Sequence, residues 1–201
     1  MKNKIPLILI YSRLVIGFVL VILSYLQVNN YSTIAIILFT VGLLTDIFDG
    51  IIARRLDIST QNLRRLDSSI DQIFFVSVLY AAFLQCPDFF QSNSLQLSIL
   101  VGFEALTYLV CFLKFKKEIA THALSSKIWT LILFSTLIQI FATCNSNVLF
   151  QICFYTGILT RLEIIGIILL LKNWTNDVPS IYHAWLLRKG RAIRRNKLFN
   201  G

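Results

Sequence analysis

The sequence predicts an all-α integral membrane protein, a bundle of six transmembrane helices around a polar cavity that faces the cytoplasm. Three observations carry that expectation. Of the 201 residues, 56% are hydrophobic and 14% charged, with a mean hydropathy of +0.72, too little polar material to coat a soluble globule of this size. Apolar stretches of about 20 residues or more run near 5–27, 32–54, 67–86, 95–115, 124–144 and 149–171, each long enough to cross a hydrocarbon core of ~30 Å. The basic residues also alternate by side. Lys2 and Lys4, Arg54, Arg55, Arg64 and Arg65, Lys114, Lys116 and Lys117, then Lys172 and the tail lie at the termini or at even-numbered connections, whereas the odd-numbered connections around 28–31, 87–94 and 145–148 hold no Lys or Arg. The positive-inside rule then puts both termini and the even connections in the cytoplasm. The formal charge of +9 faces anionic lipid headgroups rather than nucleic acid.

The first stretch is too long for the apolar region of a signal peptide, lacks a small-residue cleavage site and leads into further spans, so it is expected to remain in the mature chain. It carries an intramembrane cation without a local partner, Arg13, read as a contact to a substrate or a carboxylate, with a snorkelling anchor as the alternative. The second span ends with Asp46 and Asp49, three residues apart, and the third opens with Asp67 and Asp71, four apart. Both spacings place a pair of carboxylates on one helix face. The connection is short enough to make the two helices antiparallel neighbours, so the four carboxylates can converge. Ionised and poorly solvated, they would repel or take up protons unless cations compensated them. Oxygen-only donors indicate a hard divalent ion, Mg²⁺ or Mn²⁺, and two ions suit four carboxylates. Carboxylates paired with neighbouring arginines at a helix boundary are the plainer alternative.

Glu104 in the fourth span and Arg161 and Glu163 in the sixth lie at similar depths, and a structural ion pair between Arg161 and one glutamate is the simplest account. His122 and His183 read as interfacial side chains. Of the four cysteines, Cys111 and Cys153 fall within spans and Cys86 and Cys144 at span ends, with no pattern suggesting zinc, so all are expected as single thiols. Residues 1–172 thus form one six-span domain. Residues 173–201 form a basic tail in which Ile181, Tyr182, Trp185 and Leu186 recur at helical spacing ahead of a polybasic end, the pattern of an interfacial helix resting on the cytoplasmic leaflet.

The acidic residues belong to a longer pattern. Asp46, Asp49, Gly50, Ala53, Arg54, Asp67 and Asp71 fit D-x2-D-G-x2-A-R-x8-G-x3-D-x3-D, with Leu63 in place of the second glycine. This signature resembles that of the CDP-alcohol phosphatidyltransferase family, and the six spans resemble its whole-chain topology, in particular that of bacterial phosphatidylglycerophosphate synthase-like members. The resemblance implies a membrane enzyme of phospholipid biosynthesis. In it, metal ions hold the diphosphate of CDP-diacylglycerol, an alcohol acceptor attacks the lipid-bearing phosphorus, and CMP leaves. It makes Asp46, Asp49 and Asp67 mainly ligands and Asp71 the general base, with a possible secondary ligand role. Gly50, Ala53 and Arg54 would meet the CDP moiety, the glycine by letting it approach the backbone and the arginine by gripping diphosphate oxygens. Leucine at position 63 implies a bulkier, less free connection.

Glycerophosphate-using members begin with P-N-x-L-T-x-x-R, of which Pro6, Leu9 and Arg13 are present while Leu7 and Ile10 replace the Asn and Thr. Ser126, Lys127, Ile128, Trp129 and Thr130 resemble a G-K-x-K-T element with Trp129 replacing its second lysine, which makes Lys127 a candidate for acceptor phosphate. Glycerol 3-phosphate is the leading acceptor, ahead of inositol phosphate, inositol and serine, and a homodimer is expected by resemblance. The readings from other classes are a divalent-cation transporter and a catalytically silent scaffold.

Overall fold

The computed structural model describes residues 5–56, 60–117, 119, 123–191 and 193, without the side chains of Arg54, Gln61, Asn62 and Arg64. The readings placed on Lys2, Lys4, His122, the Arg54 and Arg64 side chains and the polybasic end of the tail lie outside the described residues. Those residues form eight helices and no strand: α1 (Ile5–Tyr25), α2 (Tyr31–Arg55), α3 (Gln61–Gln85), α4 (Pro87–Ser92), α5 (Ser94–Phe115), α6 (Leu124–Thr143), α7 (Asn147–Leu170) and α8 (Ile181–Arg188). All but α4 and α8 are long and apolar enough to cross a membrane, which gives the six spans expected.

Helix α3 begins ahead of the apolar stretch because Thr60 caps it, the Thr60 hydroxyl accepting from the Leu63 backbone N–H at 3.2 Å. A cap satisfies one of the donors that a helix start leaves open, so a polar turn, Gln61 to Arg64, is added to the span. Helix α4 falls in what the sequence alone suggests is a connection. Pro87 at its first position and Asp88 in its first turn are both suited to a helix start.

The chain divides into two compact units, residues 1–90 with 137–145, and residues 91–136 with 146–201. In the first, α1 packs against α2 and α3. Lipid tails provide no hydrophobic drive for helix association, so close approach depends on small residues. A Cβ on Gly17 would sit 3.2 Å from Ser77 Cβ, and one on Gly42 would overlap the buried Phe74 ring, with Cε2 2.9 Å away. Phe39, Phe74 and Phe75 fill the adjoining space edge to face or tilted, while Ile8, Val15, Phe18 and Ile22 of α1 are exposed and suited to acyl chains.

Cys86 and Cys144 are not single thiols, as the sequence suggested. They form a disulfide with Cα atoms 5.2 Å apart. A separation of 58 residues gives no spacing signature, so the pairing emerges only once α6 returns its last turns to the end of α3. Cys111 and Cys153 are free and buried.

In the second unit α7 packs against α5 and α8. Lys114 at the end of α5 donates to the carbonyls of Ile168 and Leu169 at 3.0 and 2.8 Å, closing open acceptors at the end of α7. Helix α8 falls within the segment expected to form an interfacial helix. Ala184 is buried in a cluster with Ile164, Ile167, Ile168 and Val178, whereas Tyr182 and Trp185 stack on each other and are exposed, with Lys189 Nζ 3.8 Å above the Trp185 ring.

Two outcomes test this description. Gly42→Ala should lower stability in detergent by about 1–3 kcal/mol through overpacking, read as a fall in melting temperature, while Gly102→Ala, whose Cβ would meet nothing within 4 Å, should be almost silent. Maleimide should label two cysteines per denatured, unreduced chain and four after reduction.

Candidate metal centre

The four aspartates converge in the first unit. Asp46 and Asp49 come from the last turns of α2 and Asp67 and Asp71 from the start of α3. One carboxylate oxygen from each of Asp46, Asp49 and Asp67 lies within 4.8 Å of the others. The Asp49 side chain is 3% exposed, against 38% for Asp46, 31% for Asp67 and 28% for Asp71. Asp49 therefore forms the floor of the cluster, and the other three rise around it toward an accessible mouth.

Arg13, reaching in from α1, is 0% exposed and touches all four carboxylates. Its Nη1 donates to Asp46 Oδ1 at 2.8 Å and to Asp71 Oδ1, and its Nη2 to Asp49 Oδ2 and Asp67 Oδ1. The planar fork of a guanidinium makes such multiple bonding possible where a lysine could not. The carboxylate alternative raised for Arg13 from sequence is the one the geometry matches. What the sequence did not reveal is that one arginine meets all four aspartates, since nothing in the span order states which face of α1 turns toward α2 and α3. The Arg13 Nε is buried without a hydrogen-bond partner.

Among the described side chains, four carboxylates meet one guanidinium, an excess of 4 − 1 = 3 negative units. That residue of negative charge, held by hard oxygens, suits a divalent cation.

Gly50 follows Asp46 by four residues and Ala53 follows Asp49 by four, so both lie one turn beyond the carboxylates on the same face of α2. Ala53 is buried and Gly50 half-buried. Beside the aspartates this leaves a face without bulky side chains. Leu63 departs less from the family pattern than the sequence suggests: it occupies an ordinary helical position in the first turn of α3, with its N–H taken by Thr60, so no glycine-only backbone conformation is needed there. Lys127 is exposed on the part of α6 that belongs to the second unit.

In the second unit two intramembrane charges satisfy each other. Arg161 of α7 pairs with Glu104 of α5, as expected, and its guanidinium carbon lies 4.6 Å from the centre of the Trp129 ring. Trp129 Nε1 donates to the Cys153 carbonyl at 3.0 Å. The sequence identified Trp129 merely as a missing lysine, although an arginine deep in a span is a signal to look for an aromatic face. His183 accepts or donates at Nδ1 with Ser180 Oγ, 2.9 Å away, in keeping with an interfacial rather than a ligand role.

The model of the CDP-alcohol phosphatidyltransferase family matches residues 3–176. No curated protein and no solved structure matches this chain. With most of its length covered, the chain belongs to the CDP-alcohol phosphatidyltransferase family. It is therefore a transferase of phospholipid biosynthesis, and its family uses divalent metals.

If Asp49 is the floor of a metal site, Asp49→Asn should weaken Mn²⁺ binding at least about tenfold, since a neutral amide replaces a charged ligand in a poorly solvated place. Titration of free Mn²⁺ by electron paramagnetic resonance would measure this, with Glu163→Gln as a control outside the cluster.

Proposed function

We propose that this family member transfers the phosphatidyl group of CDP-diacylglycerol to the hydroxyl of glycerol 3-phosphate and releases CMP. The observation that carries the reading is the convergence of Asp46, Asp49, Asp67 and Asp71 from α2 and α3 in the family's own spacing. Asp46, Asp49 and Asp67, with Asp71 as an accessory, would hold Mg²⁺ or Mn²⁺, in two ions by the charge of the cluster. Bound there, the metal supplies charge neutralisation for the diphosphate oxygens and the departing CMP.

The chain's own residues then divide the remaining work. Gly50 and Ala53 leave room beside the carboxylates for the cytidine diphosphate, and Arg54 binds its phosphate oxygens. Asp71, 28% exposed at the mouth, takes the proton of the acceptor hydroxyl as its oxygen forms a bond to the lipid-bearing phosphorus. The bond from that phosphorus to the CMP oxygen breaks, and CMP leaves with the electron pair. Arg13 is assigned a carboxylate-facing role near the donor, and Lys127, which lies in the second unit, is kept as an acceptor-phosphate candidate on family resemblance alone.

The orientation belongs to the same proposal. The even connections carry the basic residues, and the disulfide lies at the other end of α3, fifteen residues and about 22 Å along the helix axis from Asp71. Disulfides persist in oxidising compartments, which supports a cytoplasmic site and cytoplasmic termini. Residues 1–172 then make up the catalytic domain and 173–201 a lipid-facing tail, and a homodimer is retained on family resemblance.

Purified protein with Mn²⁺ should release CMP from CDP-diacylglycerol when given glycerol 3-phosphate, and Asp71→Asn should lower kcat by about 10²–10⁴, the usual worth of a general base, with folding retained. No CMP from a panel that also includes inositol phosphate, inositol and serine would reject the reading. Release with one of those alone would move the acceptor.

A further inference from the structure

We propose that Arg13 is a built-in counter-ion that occupies the aspartate cluster when no divalent cation is bound, keeps the metal-free site together, and gives up these contacts as metal enters, so that it sets metal affinity. The inference rests on the metal-site reading above and adds to it a residue that opposes the metal.

Both Nη atoms of Arg13 are engaged by the cluster, and each of the four carboxylates gives it one oxygen. Three of those carboxylates are the ones whose oxygens gather within 4.8 Å. A Mg²⁺ or Mn²⁺ ion bonding them at about 2.0–2.2 Å needs the space that the guanidinium fills. Coexistence in the present geometry would also put a divalent and a monovalent cation within a few ångströms of each other, where they repel. In the absence of metal the position reverses. Without the guanidinium, all four carboxylates would lose the cation that each of them contacts, and their mutual repulsion would rise.

The unpartnered Nε points the same way. A buried arginine normally satisfies its donors, and this one leaves Nε unmet while both Nη groups stay on the carboxylates. Its placement is therefore dictated by the negative charge of the cluster rather than by the needs of Nε. Arg13 lies one turn before Gly17, where a Cβ would sit 3.2 Å from Ser77 of α3, so the guanidinium starts from a backbone held close to that helix.

The test uses the full chain in detergent, as wild type, Arg13→Gln and Arg13→Lys. Mn²⁺ affinity is read by electron paramagnetic resonance, and melting temperature with EDTA and with saturating Mn²⁺. Arg13→Gln should bind Mn²⁺ at least about tenfold more tightly. It should also widen the gap between the two melting temperatures, chiefly by melting earlier in EDTA. Arg13→Lys should fall between it and wild type, and adding Asp71→Asn to Arg13→Gln should recover part of the metal-free stability by removing one negative charge. Equal or weaker Mn²⁺ binding by Arg13→Gln, or an equal loss of stability with and without metal, overturns the inference and leaves the metal site standing. Folded wild type that binds no Mn²⁺ overturns the metal site and this inference with it. A variant that cannot fold even in saturating Mn²⁺ assigns Arg13 a structural role and overturns the inference as well.

Discussion

The structure of the first unit depends on one constraint: negative charge gathered in a membrane must be met by positive charge close at hand. Asp46, Asp49, Asp67 and Asp71 are costly where they stand unless cations meet them. Three helices are arranged so that one does. Gly17 and Gly42 let α1, α2 and α3 approach closely enough for Arg13 to reach the centre of the cluster. Thr60 starts α3 a turn before its apolar stretch, which gives Asp67 and Asp71 a helical backbone and a fixed face. The excess of carboxylate over guanidinium that remains is what a divalent cation would meet.

The second unit faces the same constraint with another outcome. Arg161 and Glu104 are one charge against one, and Trp129 covers the guanidinium with its ring while its own N–H is held by the Cys153 carbonyl. Nothing is left over at that pair to attract a metal or an anionic substrate. It is a neutralised pair that ties α5, α6 and α7 together. Equal charges make a strut, and unequal ones make a site. The contrast also explains why burial of charge alone would have been a poor guide to the chemistry: both clusters are intramembrane, and the count of opposing charges separates them.

How much of this the sequence discloses follows from the range over which each interaction acts. The six spans were legible because hydropathy over about 20 residues is set by local composition. The pairing of aspartates was legible because helical spacing converts positions 46 and 49, and 67 and 71, into shared faces. Relations between distant helices were harder to see. The disulfide joins Cys86 to a residue 58 positions away, and Trp129 meets an arginine on another helix; both depend on packing that no window contains. Arg13 was conspicuous as a lone cation, but its four partners required knowing the rotation of α1. Leu63 is the reverse case. It seemed disruptive against the family pattern and is unremarkable in place, because a capped helix rather than a glycine turn occupies that position.

The central claim is that carboxylates from α2 and α3 form one divalent-metal site, and anomalous scattering from a crystal grown with Mn²⁺ addresses it most directly. The account predicts an anomalous peak within bonding distance of Asp46, Asp49 and Asp67, with the Arg13 guanidinium moved off at least one of the four carboxylates it contacts. A fully ordered site with no peak among these aspartates, or a peak elsewhere with the cluster still closed on Arg13, would contradict it.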